Sequence, residues 1–248
     1  MEIVTSQSNA TVKRLGRLKL KKYRDQSGEF FTEGYKNVLD TCAAAPELVR
    51  LIVLSESAYK KTGERFVDFD TVVLSDTLFD KVCETKNSQG VLSVNALPRS
   101  VFPRSERCIL LDRVRDPGNV GTILRTAVAC GYDVVVNNCA DIYSPKVTRS
   151  AMSAVLKCNI GVDISVEEIK KAGYEIIAAD MGGENVFKFE SPRGKYCVIV
   201  GNEADGVSDG ILRCADRTAS IPQNNMESLN AAVAAGIIMF TLRYGANN

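Results

Sequence analysis

An unbroken apolar run, Cys108-Ile109-Leu110-Leu111, leads into the turn sequence Asp116-Pro117-Gly118-Asn119 and then an amphipathic stretch over 120–130. No other feature constrains the fold as much. Four apolar residues without polar alternation read as a strand buried on both faces of a parallel sheet. In the turn, Pro fixes φ and Gly permits positive φ. Asn119 is a suitable N-cap for a helix beginning at Val120. Val120, Ile123, Leu124, Ala127 and Val128 make one apolar helix face, and Gly131 closes the helix. The same alternation continues. Strands are predicted over 134–136, 174–179 and 196–200, and helices over 146–156, 166–172 and 228–244. This pattern predicts a parallel sheet covered on both faces, with ligands at the C-terminal ends of its strands.

A smaller α/β unit precedes it, over 1–98. Val12, Leu15 and Leu18 recur at helical spacing, and Glu29-Phe30-Phe31-Thr32 reads as a strand. Gly34 opens a helix through 45, strands follow over 51–54 and 71–74, then a helix over 76–83 and an extended segment over 90–94. Residues 99–106 form the linker, between Pro98 and a second domain over 107–248.

Composition excludes several chemistries. Among 248 residues there is no His, which removes His-based acid–base catalysis, Ser-His-Asp triads and most zinc sites, so no metal is expected. The eight Cys form no C-x-x-C pair, and no secretory signal is visible. They read as reduced, buried thiols of a cytoplasmic protein. No stretch of about 20 residues is apolar and uncharged, so no membrane span is expected. Neither a phosphate loop nor G-x-G-x-x-G occurs, which argues against a nucleotide-dependent small-molecule enzyme. The formal net charge is +1, so any nucleic-acid contact must be local. Lys13, Arg14, Arg17, Lys19, Lys21, Lys22 and Arg24 share the first 24 residues with one acid, Glu2. Such a basic segment is either a solvated face or a phosphate-binding surface.

Three segments place polar residues or Gly where a strand should end. The first contains Asn119, with Gly121 and Arg125 four apart on one helix face. A guanidinium beside free backbone N–H groups suits phosphate or ribose oxygens. The second is Gly201-Asn202-Glu203-Ala204-Asp205-Gly206, where Gly201 allows close backbone approach. The third runs Ile221-Pro222-Gln223-Asn224-Asn225-Met226-Glu227-Ser228-Leu229-Asn230, into a helix apolar on all sides. Such a helix must be buried, in a core or a subunit interface.

Together these segments resemble the three signature motifs of the SpoU-type (TrmH-like) RNA ribose methyltransferases of the SPOUT superfamily. Residues 112–127 meet nearly every fixed position of the pattern D-x-V-x-D-P-x-N-x-G-x-x-x-R-x-A. Tyr143 to Ser153 resembles the segment S-P-x-x-x-R-x-S-x-G, with Ser153 in place of Gly. Ser6 to Gly34 is similar to the N-terminal RNA-binding unit of the rRNA-modifying branch. In the third motif Gln223 replaces the usual Met, the Gly is missing and the loop is one residue shorter.

The resemblance implies a C-terminal α/β trefoil-knot domain with a parallel sheet, plus a small N-terminal α/β RNA-binding domain. It implies an S-adenosyl-L-methionine-dependent enzyme that methylates a ribose 2′-hydroxyl, most naturally in 23S-type rRNA. The alternatives are a tRNA 2′-O-methyltransferase or a non-catalytic RNA-binding protein of the same fold. A homodimer with the active site between subunits is implied. By motif, Gly201, Ile221 and Leu229 would hold the cofactor. Arg125, Asn119, Glu203, Ser228 and Asn230 would serve catalysis, and Lys13, Arg14, Arg17, Lys21 and Arg24 would bind RNA.

Overall fold

The computed structural model describes residues 2–225 and 228–245; Met226 and Glu227 of the third motif lie outside the described residues. The chain begins β1 (Ile3–Val4), α1 (Ala10–Leu18), α2 (Lys21–Ser27), β2 (Glu29–Glu33), α3 (Tyr35–Ala44), β3 (Val49–Ser55) and α4 (Glu56–Thr62). It continues β4 (Thr71–Leu74), α5 (Asp76–Val82), β5 (Val91–Ala96), β6 (Arg107–Asp112), α6 (Pro117–Cys130), β7 (Asp133–Asn137) and α7 (Pro145–Ala151). It ends β8 (Ile160–Val162), α8 (Val166–Lys171), β9 (Glu175–Asn185), β10 (Tyr196–Val200), α9 (Asp209–Cys214), β11 (Arg217–Ser220) and α10 (Ala231–Tyr244). Two compact units result: 1–99 with 143–157, and 100–142 with 158–248.

The first unit holds a sheet of order β1-β4-β3-β5-β2. It is mixed: β1, β4 and β3 are parallel, while β5 runs antiparallel to β3 and β2. One face buries Leu15, Leu18, Phe31, Leu74 and Phe79, and the other Val38, Ile52, Leu54 and Phe66. The predicted 146–156 helix is split. Helix α7 ends at Ala151, Met152 takes φ 56°, and a 3₁₀ turn follows over Met152–Leu156. Positive φ breaks the i→i−4 ladder, which the apolar spacing could not reveal.

The second unit holds a sheet of order β11-β9-β10-β6-β7-β8, parallel throughout its described strands. Ile109, Leu110 and Leu111 of β6 lie between Val198–Val200 of β10 and Val134–Val136 of β7, all buried. From β6 the chain winds outward through β7 and β8, then returns to the other side of β6 through β9 and β10. That reversal opens a crevice at the C-terminal ends of β6 and β10, where open α/β sheets bind ligands.

Helix boundaries corrected two expectations. Helix α6 starts at Pro117, and Asp116 caps it by accepting from the Asn119 N–H at 2.8 Å. Pro is preorganised for the first helical position, and Asp can cap as well as Asn. The Asn119 side chain is therefore released for other partners. Helix α10 starts at Ala231, capped by Asn230, whose Oδ1 accepts from the backbone N–H groups of Ala232 and Val233. Its inner side, with Ala235, Ile238, Met239 and Leu242, is buried, but Val233, Phe240 and Tyr244 are exposed. The expectation of all-round burial is thus not met within one chain. All eight Cys are free thiols; Cys83, Cys108, Cys130 and Cys197 are buried, whereas Cys42, Cys139, Cys158 and Cys214 are only half-buried.

Candidate active site

The loop after β6 and the turn after β10 face each other across the crevice. Glu203 Oε1 accepts from Asn119 Nδ2 at 2.8 Å. The same carboxylate reaches the backbone N–H groups of Arg115 at 3.4 Å and Asp116 at 3.3 Å. On its other side, Asn119 Oδ1 accepts from Asn230 Nδ2 at 2.8 Å. A line of hydrogen bonds therefore runs from Glu203 through Asn119 to the cap of α10. Partial burial would raise the Glu203 carboxyl, but hydrogen bonds from Asn119, from its own backbone and from Arg115 and Asp116 outweigh it. The group is held below its ordinary value and stays ionised at neutral pH.

Beside this line lies a cavity of about 490 Å³. Gly201, Glu203, Ile221, Ser228 and Leu229 all contribute to its walls. Gly201 is required by packing: a Cβ there would come within 2.0 Å of the Gly206 carbonyl carbon. The turn folds back on itself through paired backbone bonds between Asn202 and Gly206, at 3.0 and 2.9 Å.

Of the predicted catalytic residues, Asn119, Glu203 and Asn230 are brought together, and Ser228 lines the cavity without joining the line. Arg125 is exposed on α6, outside the cavity wall, with no hydrogen bond or ion pair among the described residues. Three contributors were not singled out from the sequence. Buried Asp112 accepts from the Ser208 N–H at 2.9 Å, and Arg113, at φ 59°, donates through Nη2 to the Gly206 carbonyl at 3.4 Å. Asn202 Nδ2 donates to the Arg113 carbonyl at 2.9 Å. Asp112 is the first fixed position of the first motif and Asn202 lies in the second segment, while Arg113 is marked only by its place after a strand end.

In the first unit the basic cluster divides. Lys13, Arg17 and Lys22 are exposed, with the Arg17 guanidinium 5.7 Å from the centre of the Tyr23 ring. Arg14 donates through Nε to Glu29 at 2.9 Å, and Lys21 pairs with Asp25 at 2.8 Å. Arg24, expected to touch RNA, is buried at 3% exposure. Its Nη1 donates to the Leu18 carbonyl at 2.7 Å, satisfying the end of α1. That contact corrects its assignment from RNA binding to structure.

The pattern of the SpoU rRNA Methylase family matches residues 106–240. The chain belongs to this family. The MRM3-like substrate binding domain matches residues 9–93. The chain is 30% identical, over 98% of its length and 100% of the relative's, to the 23S rRNA (guanosine(2553)-2'-O)-methyltransferase RlmP of Bacillus subtilis. Its structure is similar to an AdoMet-bound rRNA methyltransferase from Sinorhizobium meliloti, with TM-score 0.86 and 28% identity, covering 98% of this chain and 97% of that one. A second neighbour is the SpoU methyltransferase AviRb from Streptomyces viridochromogenes in complex with AdoMet, with TM-score 0.80 and 26% identity, covering 94% and 97%. The α/β fold with a parallel sheet implied by the motifs is the fold of these SpoU neighbours.

S-adenosylmethionine is the cofactor of SpoU methyltransferases, and the cavity fits it. Its volume lies within the range of about 300–1,000 Å³ usual for small-molecule sites. The space a Gly201 side chain would need is filled by Gly206 and Val207 backbone, so Gly201 shapes the wall by letting the turn close, and Ala219, Leu212 and Ile238 give the wall an apolar part. Carboxylates of Asp180, Glu203 and Asp205 supply negative charge suited to a sulfonium. Among the described residues no cluster of His, Cys, Asp and Glu could hold a metal ion, and no helix is long and apolar enough to cross a membrane.

Proposed function

We propose that this SpoU methyltransferase transfers a methyl group to a ribose 2′-hydroxyl of 23S-type rRNA. The observation that carries the reading is the line Glu203–Asn119–Asn230 beside the cavity. When bound, S-adenosylmethionine supplies a methyl group on a sulfonium, already a good leaving group.

The chain supplies position and charge. Ionised Glu203 orients the Asn119 amide, and Asn230 ties that amide to the start of α10, fixing the crevice against the cavity. Backbone groups of Gly201, Ile221 and Leu229 hold the cofactor, and the Ser228 hydroxyl on the wall meets the ribose. Arg125 is free to meet RNA. A guanidinium carries only N–H donors and no acceptor, so it is a poor candidate for the base. It suits anchoring a phosphate and stabilising the developing alkoxide, whose proton passes to solvent water. Alignment of hydroxyl and methyl accounts for much of the rate.

The unit containing residues 9–93 binds the RNA, with Lys13 and Arg17 as exposed phosphate contacts and Arg14 and Lys21 as weaker, partly neutralised ones. The exposed stripe Val233, Phe240 and Tyr244 on α10 is covered by a second copy, giving a homodimer. The protein acts in the cytoplasm.

The test is incubation with methyl-labelled S-adenosylmethionine and unmodified 23S rRNA or tRNA, with Arg125→Ala as control. Label in 23S rRNA, recovered as an alkali-stable 2′-O-methyl dinucleotide and lost in the variant, is expected. Label in tRNA alone, or none in any RNA including ribosomal particles, would overturn the reading.

A further inference from the structure

We infer that Asn202 is a positioning residue for methyl transfer: its side-chain tie to the Arg113 carbonyl sets the angle at which the turn presents Glu203 to Asn119. The inference rests on the proposed function.

The turn after β10 has a well-defined internal shape but needs an external reference. The contact of Gly201 with Gly206 and the paired bonds between Asn202 and Gly206 close the turn on itself. Neither fixes its tilt relative to the loop after β6. Asn202 supplies that reference. Its Nδ2 donates to the Arg113 carbonyl at 2.9 Å while its Oδ1 accepts from the Ala204 N–H at 2.8 Å. A carbonyl needs a donor and an N–H needs an acceptor, so the two partners permit one amide orientation. No carboxylate could make both bonds at neutral pH.

The partner is equally specific. Arg113 holds a left-handed backbone at φ 59°, uncommon for a side chain of its size, beside its bond to Asn202. Its guanidinium reaches the Asp112 carboxylate at 3.3 Å and the Gly206 carbonyl at 3.4 Å. Asp112 in turn accepts from the Ser208 N–H. The two loops are thus stitched on either side of Glu203. Between the stitches, the Glu203 bonds to the Arg115 and Asp116 N–H groups are long, at 3.4 and 3.3 Å. N–H···O bonds longer than about 3.2 Å are weak and are lost with a small displacement. The Glu203 carboxylate is therefore sensitive to the tilt that Asn202 sets. Asn202 also borders the cavity, but its amide is oriented by the protein, which separates its role from direct cofactor binding.

The test uses the full chain with 23S rRNA and compares wild type, Asn202→Asp and Asn202→Ala. Asn202→Asp is nearly isosteric, keeps the acceptor for Ala204 and loses the donor to Arg113. Asn202→Ala loses both bonds and serves if the Asp variant does not fold. Readouts are kcat, KM for each substrate, the Kd of S-adenosylhomocysteine by calorimetry, and thermal unfolding. Misplaced reacting groups cost rate more than affinity, so kcat should fall about tenfold or more while the Kd changes less than about threefold. A kcat near wild type in either folded variant would overturn the inference. So would an equal loss of kcat and S-adenosylhomocysteine affinity, which would make Asn202 part of the cavity wall. Absence of transfer by wild type would instead strike the proposed function, so the two failures are distinguishable.

Discussion

Asn119 donates to Glu203 across 2.8 Å although the two residues lie 84 positions apart in the chain. One is the third residue of α6 and the other follows the end of β10. The bond spans the crevice where the strand order reverses, so it reports directly on whether the site is assembled.

Glu203→Gln keeps the shape and removes the charge. The neutral amide holds Asn119 less firmly, and misplaced groups cost rate, so kcat should fall by about tenfold or more. Thermal unfolding should move little, because Glu203 is largely exposed. Single-turnover kinetics with methyl-labelled cofactor checks this; wild-type turnover would remove Glu203 from the mechanism.

The pH dependence follows from the same carboxylate. Its folded pKa is lowered from 4.5, so whatever it contributes is fully present above that value. The contribution is lost only as pH falls through the lowered folded value. Activity should not lose a Glu203 contribution anywhere between neutrality and about pH 5. A kcat–pH profile of wild type against Glu203→Gln tests this, and a Glu203-dependent limb near neutrality would contradict it.

Arg125→Ala should lower turnover by at least about 10²-fold, the scale for losing one donor to a developing oxyanion. S-adenosylhomocysteine affinity should be unchanged, since Arg125 is outside the cavity wall. Arg125→Lys should restore little, because a bidentate fork is replaced by a point charge. Parallel calorimetry and rate measurements separate the two effects.

Gly201→Ala places a Cβ where backbone atoms of Gly206 and Val207 already stand, within 2.1 Å. Backbone cannot yield as a side-chain end can, so the turn must open. S-adenosylhomocysteine binding should weaken by more than about tenfold, with loss of about 2 kcal/mol or more of stability from overpacking. Calorimetry and thermal unfolding read both effects.

Exposed and buried residues of the basic cluster should behave differently. Lys13→Glu with Arg17→Glu should weaken RNA binding and reduce its salt slope by about one to two, as phosphate contacts are lost. Arg24→Ala should instead lower the unfolding midpoint, because the buried Leu18 carbonyl loses its donor. Salt titrations of RNA binding, alongside melting curves of each variant, check the contrast.

Local pattern sufficed for much of this molecule. Four apolar residues at 108–111 read as a buried strand, and the turn at 116–119 announced the helix that follows, though not its first residue. The glycine at 201 marked a close approach, and its motif pointed to the cofactor wall. Such features depend on neighbours within one turn of chain, where sterics and periodicity act. Both Asp116 and Asn119 can cap α6, and Pro117 at the first helical position, itself in the sequence, sets the choice; the sequence does not show what the released Asn119 amide then meets. Nor could it separate Arg24 from Lys13: both are cations on a helical segment until packing buries one against a carbonyl. The roles of Asp112, Arg113 and Asn202 depend on partners about 90 residues away. Long-range hydrogen bonds leave no periodicity in the chain. They exist only once strand order brings β6 beside β10, and that order is a property of the assembled sheet.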